Sequence, residues 1–138
     1  MRLVLDTNVV ASGLLWESAP ARLLDAAQAG DVELCTSRHL LAELARILRR
    51  AKFSKAIAAS GFTREELVLG YAELATLCEP ATIVPTVRAD PDDDHVLACA
   101  LAAQADAIVT GDAHLLNLAR YHGIAIIKPA TAINIVSG

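Results

Sequence analysis

The chain has 138 residues, enough for one domain with a sizeable core, and a formal net charge of −4, so any nucleic-acid contact must come from a local basic patch. Its 54% hydrophobic content includes only two Phe, one Trp and two Tyr, which leaves a core of Ala, Leu, Val and Ile and favours helices packed on a small sheet. No apolar run reaches the ~18 residues of a membrane span, and Met1-Arg2 leads straight into Leu3-Val4-Leu5 with no signal-peptide pattern.

In chain order, Leu3–Leu5 reads as a strand, and Asn8 to Ser12 leaves room for a short helix. Pro20 to Ala29 is helical, opening on a first-turn proline and stopping at Gly30. Val32–Thr36 is a second strand, after which Ser37 caps a helix running to about Arg50. The stretch Ala51–Phe62 carries the weakest signal. Thr63-Arg64-Glu65-Glu66 is a capping box for a helix reaching about Cys78. Thr82–Val84 is strand-like, and the acidic run Asp90-Pro91-Asp92-Asp93-Asp94 forms a loop whose end caps Val96–Gln104. Ala107–Thr110 is a further strand, Asp112 caps a helix over Ala113–His122 stopped by Gly123, and Ile124–Ile127 is the last strand. Strands alternating with helices predict a single α/β domain over residues 1–138 with a parallel sheet. Cys35, Cys78 and Cys99 are widely spaced among apolar neighbours, as expected of reduced thiols in a cytoplasmic protein.

Four carboxylates stand where these elements meet. Asp6 closes the first strand and Asp112 follows the Ala107–Thr110 strand, so both belong at strand carboxyl ends, where open α/β sheets bind ligands. A buried carboxylate without a partner is costly, although Asp6 could also serve as a helix cap. Asn8 could orient Asp6 or be a turn residue, and the Thr110 hydroxyl could face the same pocket or simply end the strand. Glu43 falls on the flank of the stripe Leu40, Leu41, Leu44, Ile47 and Leu48, beside Arg46 and Arg50. It reads either as a ligand or as the partner of Arg46 in an i,i+3 pair. Asp94 and Asp112 are routine cap residues, a role compatible with reaching a metal. Acids gathered in this way repel, which argues for a hard divalent cation, Mg²⁺ or Mn²⁺. Half of the twelve basic residues (Arg38, Arg46, Arg49, Arg50, Lys52 and Lys55) lie around Glu43, either as a solvated helix face or as a phosphate-binding patch.

The stretches Leu5-Asp6-Thr7-Asn8-Val9, Ser37 through Leu44, Asp94 through Ala100 and Ala105 through Asp112 together resemble a PIN domain over nearly the whole chain. Intervals of 37, 51 and 18 residues separate Asp6, Glu43, Asp94 and Asp112. The nearest flavour is the toxin component of toxin–antitoxin systems, of the VapC type. The resemblance implies a three-layer α/β/α fold with a small, mostly parallel central sheet. It also implies a metal-dependent endoribonuclease in which Asp6, Glu43, Asp94 and Asp112 form the acidic quartet. Asp93 and Asp94 compete for the third position, and the spacing to Asp112 favours Asp94. Arg46, Arg50 and Lys52 would hold single-stranded or structured RNA, mainly through its backbone because aromatics are few. An antitoxin protein and a second copy of the chain are the expected partners. Two alternatives are a PIN-like interaction module without catalysis and a Mg²⁺-binding receiver-type signalling domain. The receiver is disfavoured because Asp6 lacks a paired acid.

Overall fold

The computed structural model describes residues 1–87 and 92–137; the loop expected near Asp90 lies outside them in its first two residues. In chain order come β1 (Arg2–Leu5), α1 (Thr7–Leu15), α2 (Ala19–Gln28), β2 (Glu33–Thr36), α3 (Arg38–Ile47) and a 3₁₀ turn (Ala51–Phe53). They are followed by α4 (Ser54–Ser60), α5 (Arg64–Leu74), β3 (Thr76–Leu77), α6 (Asp92–Ala103), β4 (Ala107–Val109), α7 (Ala113–Leu116), β5 (Arg120–Tyr121), β6 (Ile124–Ile127) and α8 (Pro129–Ser137). The local signals account for most boundaries. The Ser37 hydroxyl accepts from the Leu40 amide at the start of α3, and Thr63 and Glu66 form the reciprocal capping box of α5.

The strands are ordered β3-β2-β1-β4-β6-β5, all parallel except β5. Period-2 alternation sorts their side chains onto two faces. Leu3, Leu5, Leu34, Ala107 and Val109 join α1, α2, α3, α5 and α8 on one face. Val4, Cys35, Ile108, Ile124 and Ile126 face the other way, under α6 and Leu115 of α7. The result is the expected three-layer α/β/α arrangement. The chain leaves β1 toward β2 on one side and returns past it to β4 on the other. That makes the β1–β4 seam the switch point, where a crevice opens beyond the strand ends. Among the described residues, no helix is long and apolar enough to cross a membrane.

Three expected elements differ. Thr82–Val84 is not a strand: Ala81 donates its N–H to the Ala98 carbonyl at 3.1 Å, so this segment runs along α6, and the sheet edge is the two-residue β3. The helix expected over Ala113–His122 is one turn long. His122 (φ 49°) and Gly123 (φ 82°) both adopt the left-handed region that a two-residue hairpin turn requires, and they pair β5 with β6 instead of ending a helix. A further helix, α8, follows the last expected strand; Pro129 opens it, and Ala132 and Ile133 bury it beside α2.

Gly13 sets how closely α1 and α2 approach. A Cβ there would lie 2.9 Å from Leu24 Cδ1 and 3.0 Å from the Pro20 main-chain carbon and oxygen. Gly13→Ala gains up to about 1 kcal/mol of helix propensity, but overpacking against backbone costs about 1–3 kcal/mol. The expected result is a net loss near 1 kcal/mol in chemical denaturation. A more stable variant would mean that the two helices can part freely.

Candidate metal centre and nucleic-acid cleft

The site starts from the hydrogen bonding of two adjacent parallel strands. The Asp6 N–H donates to the Val109 carbonyl at 2.9 Å, which locks Asp6 at the carboxyl end of β1 beside that of β4. Thr110, fully buried one residue beyond β4, donates its hydroxyl to Asp6 Oδ2 at 2.9 Å. The same hydroxyl oxygen accepts the Asp112 N–H at 3.0 Å. One threonine thus fixes both the rotamer of Asp6 and the path of the chain carrying Asp112. Asp112 accepts from the His114 amide at 2.7 Å and so caps α7, with its second oxygen left to face elsewhere. Thr7, a buried residue that the sequence reading passed over, brings its hydroxyl to within 3.5 Å of Asp6 Oδ1.

Burial pushes the Asp6 carboxyl above its ordinary value. The Thr110 hydroxyl pulls it back, as do the main-chain amides of Thr7 and Asn8 at the start of α1, whereas the Asp112 charge adds to the rise. Asp6 therefore sits in a place that disfavours its own negative charge.

The third acid beside Asp6 and Asp112 is Asp93. One carboxylate oxygen from each of these three residues lies within 4.8 Å of the others. Asp93 is 5% exposed. Asp94, favoured by spacing alone, turns away. Its Oδ1 accepts the Val87 N–H at 2.8 Å, and both of its oxygens lie 3.2 Å from the Thr86 N–H. The cause is helix phase. Leu97 and Ala100, four and seven residues beyond Asp93, are fully buried against the sheet, so Asp93 continues the inward stripe of α6. Rotating the helix by one residue to bring Asp94 inward would displace Leu97, whose burial is worth roughly 1.5–3 kcal/mol.

Asp6 and Asp112 open into a cleft of about 510 Å³ also lined by Asn8, Ser12, Arg50 and Lys52 among others. Two of the three expected basic residues, Arg50 and Lys52, therefore border the acidic site. The third, Arg46, pairs instead with Asp92 at 3.8 Å, both side chains being mostly exposed, so the contact is worth less than about 1 kcal/mol. Glu43 is half-buried on α3, which packs against α1 and α6, and it lies outside the group of three aspartates. Asn8 is exposed at the cleft wall.

The donor set fits a divalent cation. Three hard carboxylate oxygens converge, two of the residues are buried, and two unit charges ~4.8 Å apart repel by on the order of 3 kcal/mol at an effective dielectric near 20. Oxygen donors without nitrogen or sulfur suit Mg²⁺ or Mn²⁺. Arg50 and Lys52, which line the cleft with Asp6 and Asp112, offer cations to a phosphodiester backbone.

This architecture has relatives. The crystal structure of FitAcB from Neisseria gonorrhoeae is similar in fold over 93% of this chain and 98% of that one, with 21% sequence identity and a TM-score of 0.51. No curated protein matches the chain. The family model described as PIN domain matches residues 2–114, which include β1, β4 and all three clustered aspartates, and this excludes a receiver-type domain. The chain belongs to the PIN domain family.

Proposed function

We propose that the chain is a metal-dependent endoribonuclease that cuts single-stranded RNA and acts as the toxin of a toxin–antitoxin pair. The observation that carries this reading is the convergence of Asp93 with Asp6 and Asp112, two acids that line a cleft also bordered by Arg50 and Lys52. Asp6, Asp93 and Asp112 hold Mg²⁺ or Mn²⁺, and Thr110 orients Asp6 for that role. A bound divalent ion supplies an acidified water and offsets charge on the phosphodiester. Glu43 positions the attacking water from α3, and Arg50 and Lys52 hold flanking phosphates so that the scissile bond lies over the aspartates. Hydrolysis in line leaves a 5′-phosphate and a 3′-hydroxyl. Asp94 holds the main-chain amides of Thr86 and Val87 and has no part in the chemistry. The partners of this reading are RNA, an antitoxin protein that covers the cleft, and a second copy of the chain. The setting is the cytoplasm.

The test is cleavage of end-labelled single-stranded RNA with Mn²⁺ or Mg²⁺, with EDTA and Asp6→Asn as parallel controls. Cutting that needs the metal and disappears in Asp6→Asn is the expected result. Cutting that survives Asp6→Asn refutes the site. Folded protein that binds Mn²⁺ yet leaves a broad RNA panel intact would point to a binding module on the same fold.

A further inference from the structure

The chain has one tryptophan, and the fold places it in the cleft. Trp16 ends α1, donating its N–H to the Ser12 carbonyl at 2.9 Å before the backbone turns extended. Trp16 is 44% exposed and lines the same cleft as Asp6 and Asp112. Behind it stands Phe53, only 2% exposed, with ring centroids 5.6 Å apart and planes tilted by 36°. Lys52 Nζ lies 5.0 Å from the Phe53 centroid, within cation–π range.

These observations combine into more than a stray surface aromatic. Phe53 belongs to the core, so the ring behind Trp16 is rigid while Trp16 itself is offered to the cleft. Aromatic area held at little entropic cost, beside a cationic strip that tracks a sugar–phosphate backbone, is how sequence-tolerant single-strand binding is built. The paucity of aromatics in the composition suggests that backbone contacts dominate; the fold brings two of the chain's five aromatic residues to the acidic cleft.

We propose that Trp16 stacks on an unpaired nucleobase of the RNA strand, next to the phosphate placed over Asp6, Asp93 and Asp112. This rests on the nuclease reading and adds a base subsite to it. A base within a duplex cannot be presented to the ring, so the subsite selects unpaired segments. It discriminates weakly among the four bases, because every base has a π face. Phe53 is a positioning residue that supports the Trp16 ring from behind.

Since Trp16 is the sole tryptophan, intrinsic emission reports on this ring alone. Asp6→Asn protein is titrated with a short single-stranded RNA and with the same oligonucleotide carrying abasic sites. In parallel, Trp16→Ala and Trp16→Phe are assayed for cleavage in the otherwise native chain. The expected results are quenching by the base-bearing strand but not by the abasic one, a rise in KM of about tenfold for Trp16→Ala with a smaller change in kcat, and near-native KM for Trp16→Phe. Active cleavage with unmoved emission and unchanged KM in Trp16→Ala would overturn the stacking subsite and leave the nuclease standing. Quenching by a partner protein but not by RNA would also overturn it, making Trp16 a protein anchor. Neither RNA binding nor cleavage by the native chain would remove the nuclease reading and this subsite together.

Discussion

Asp93→Asn lowers RNA cleavage by more than about 100-fold, whereas Asp94→Ala leaves it within a few fold and lowers the melting temperature. The two residues are neighbours in sequence but perform separate tasks. Asp93 shares a 4.8 Å cluster with Asp6 and Asp112, and loss of a metal-holding carboxylate exceeds the about 10–100-fold that outer hydrogen-bond partners cost. Asp94 instead accepts the main-chain amides of Thr86 and Val87. Alanine there strands two partly buried donors, at about 1–3 kcal/mol. Initial rates with labelled RNA and Mn²⁺, measured beside thermal melts, separate the two effects. The opposite pattern, a silent Asp94→Ala and an active Asp93→Asn, would return the third acid to the position that spacing alone favoured.

Metal reverses the stability ranking of the native chain and Asp6→Asn. Burial disfavours the charge of the folded Asp6 carboxyl and holds it above its ordinary value. A carboxyl whose folded value is raised contributes stability below the unfolded value and loses it as pH rises through the folded one. At neutral pH without metal, the native chain therefore carries a penalty that asparagine lacks, and Asp6→Asn melts higher. Acidification narrows the gap. Saturating Mn²⁺ binds the folded native chain, and at a hundredfold excess over Kd it adds about 2.7 kcal/mol, near 10 °C for a chain of this size. Asp6→Asn gains much less, so the order inverts. Melting curves in EDTA and in Mn²⁺, from acid to neutral pH, give the answer. Equal Mn²⁺ shifts in both proteins would show that the ion binds elsewhere.

The central strands were legible because β1, β2, β4 and β6 are short apolar runs bounded by polar turns, and each keeps the alternation that feeds two cores. Asp6 and Asp112 were legible for the same reason: each ends or follows a strand of the seam. Three things were obscured. Thr82–Val84 has strand-forming residues, but the neighbouring Ala81 amide bonds to α6 and Ile83 packs on the core beneath that helix, so propensity yielded to tertiary packing. Gly123 looked like a helix stop because a left-handed glycine serves helix ends and hairpins alike. Spacing along the chain favours Asp94 over Asp93, whereas the helix phase brings Asp93 to Asp6 and Asp112. Val96, Leu97 and Ala100 mark the inward face of α6, and Asp93 lies on it. Trp16 escaped notice because nothing local says that the end of α1 and the 3₁₀ turn after α3 meet at one cleft.

The strand order has a consequence during synthesis. β1 is made first yet finishes in the interior of the sheet, with β2 on one edge and β4 on the other. Until residues 107–109 emerge from the ribosome, the second edge of β1 has no neighbour, and such an open edge invites pairing with other chains. Asp6 meanwhile has neither Thr110 to turn it nor Asp112 to complete the cluster. A nascent chain, or one truncated before β4, therefore lacks the assembled acidic cluster, which is complete only after β4 closes the seam.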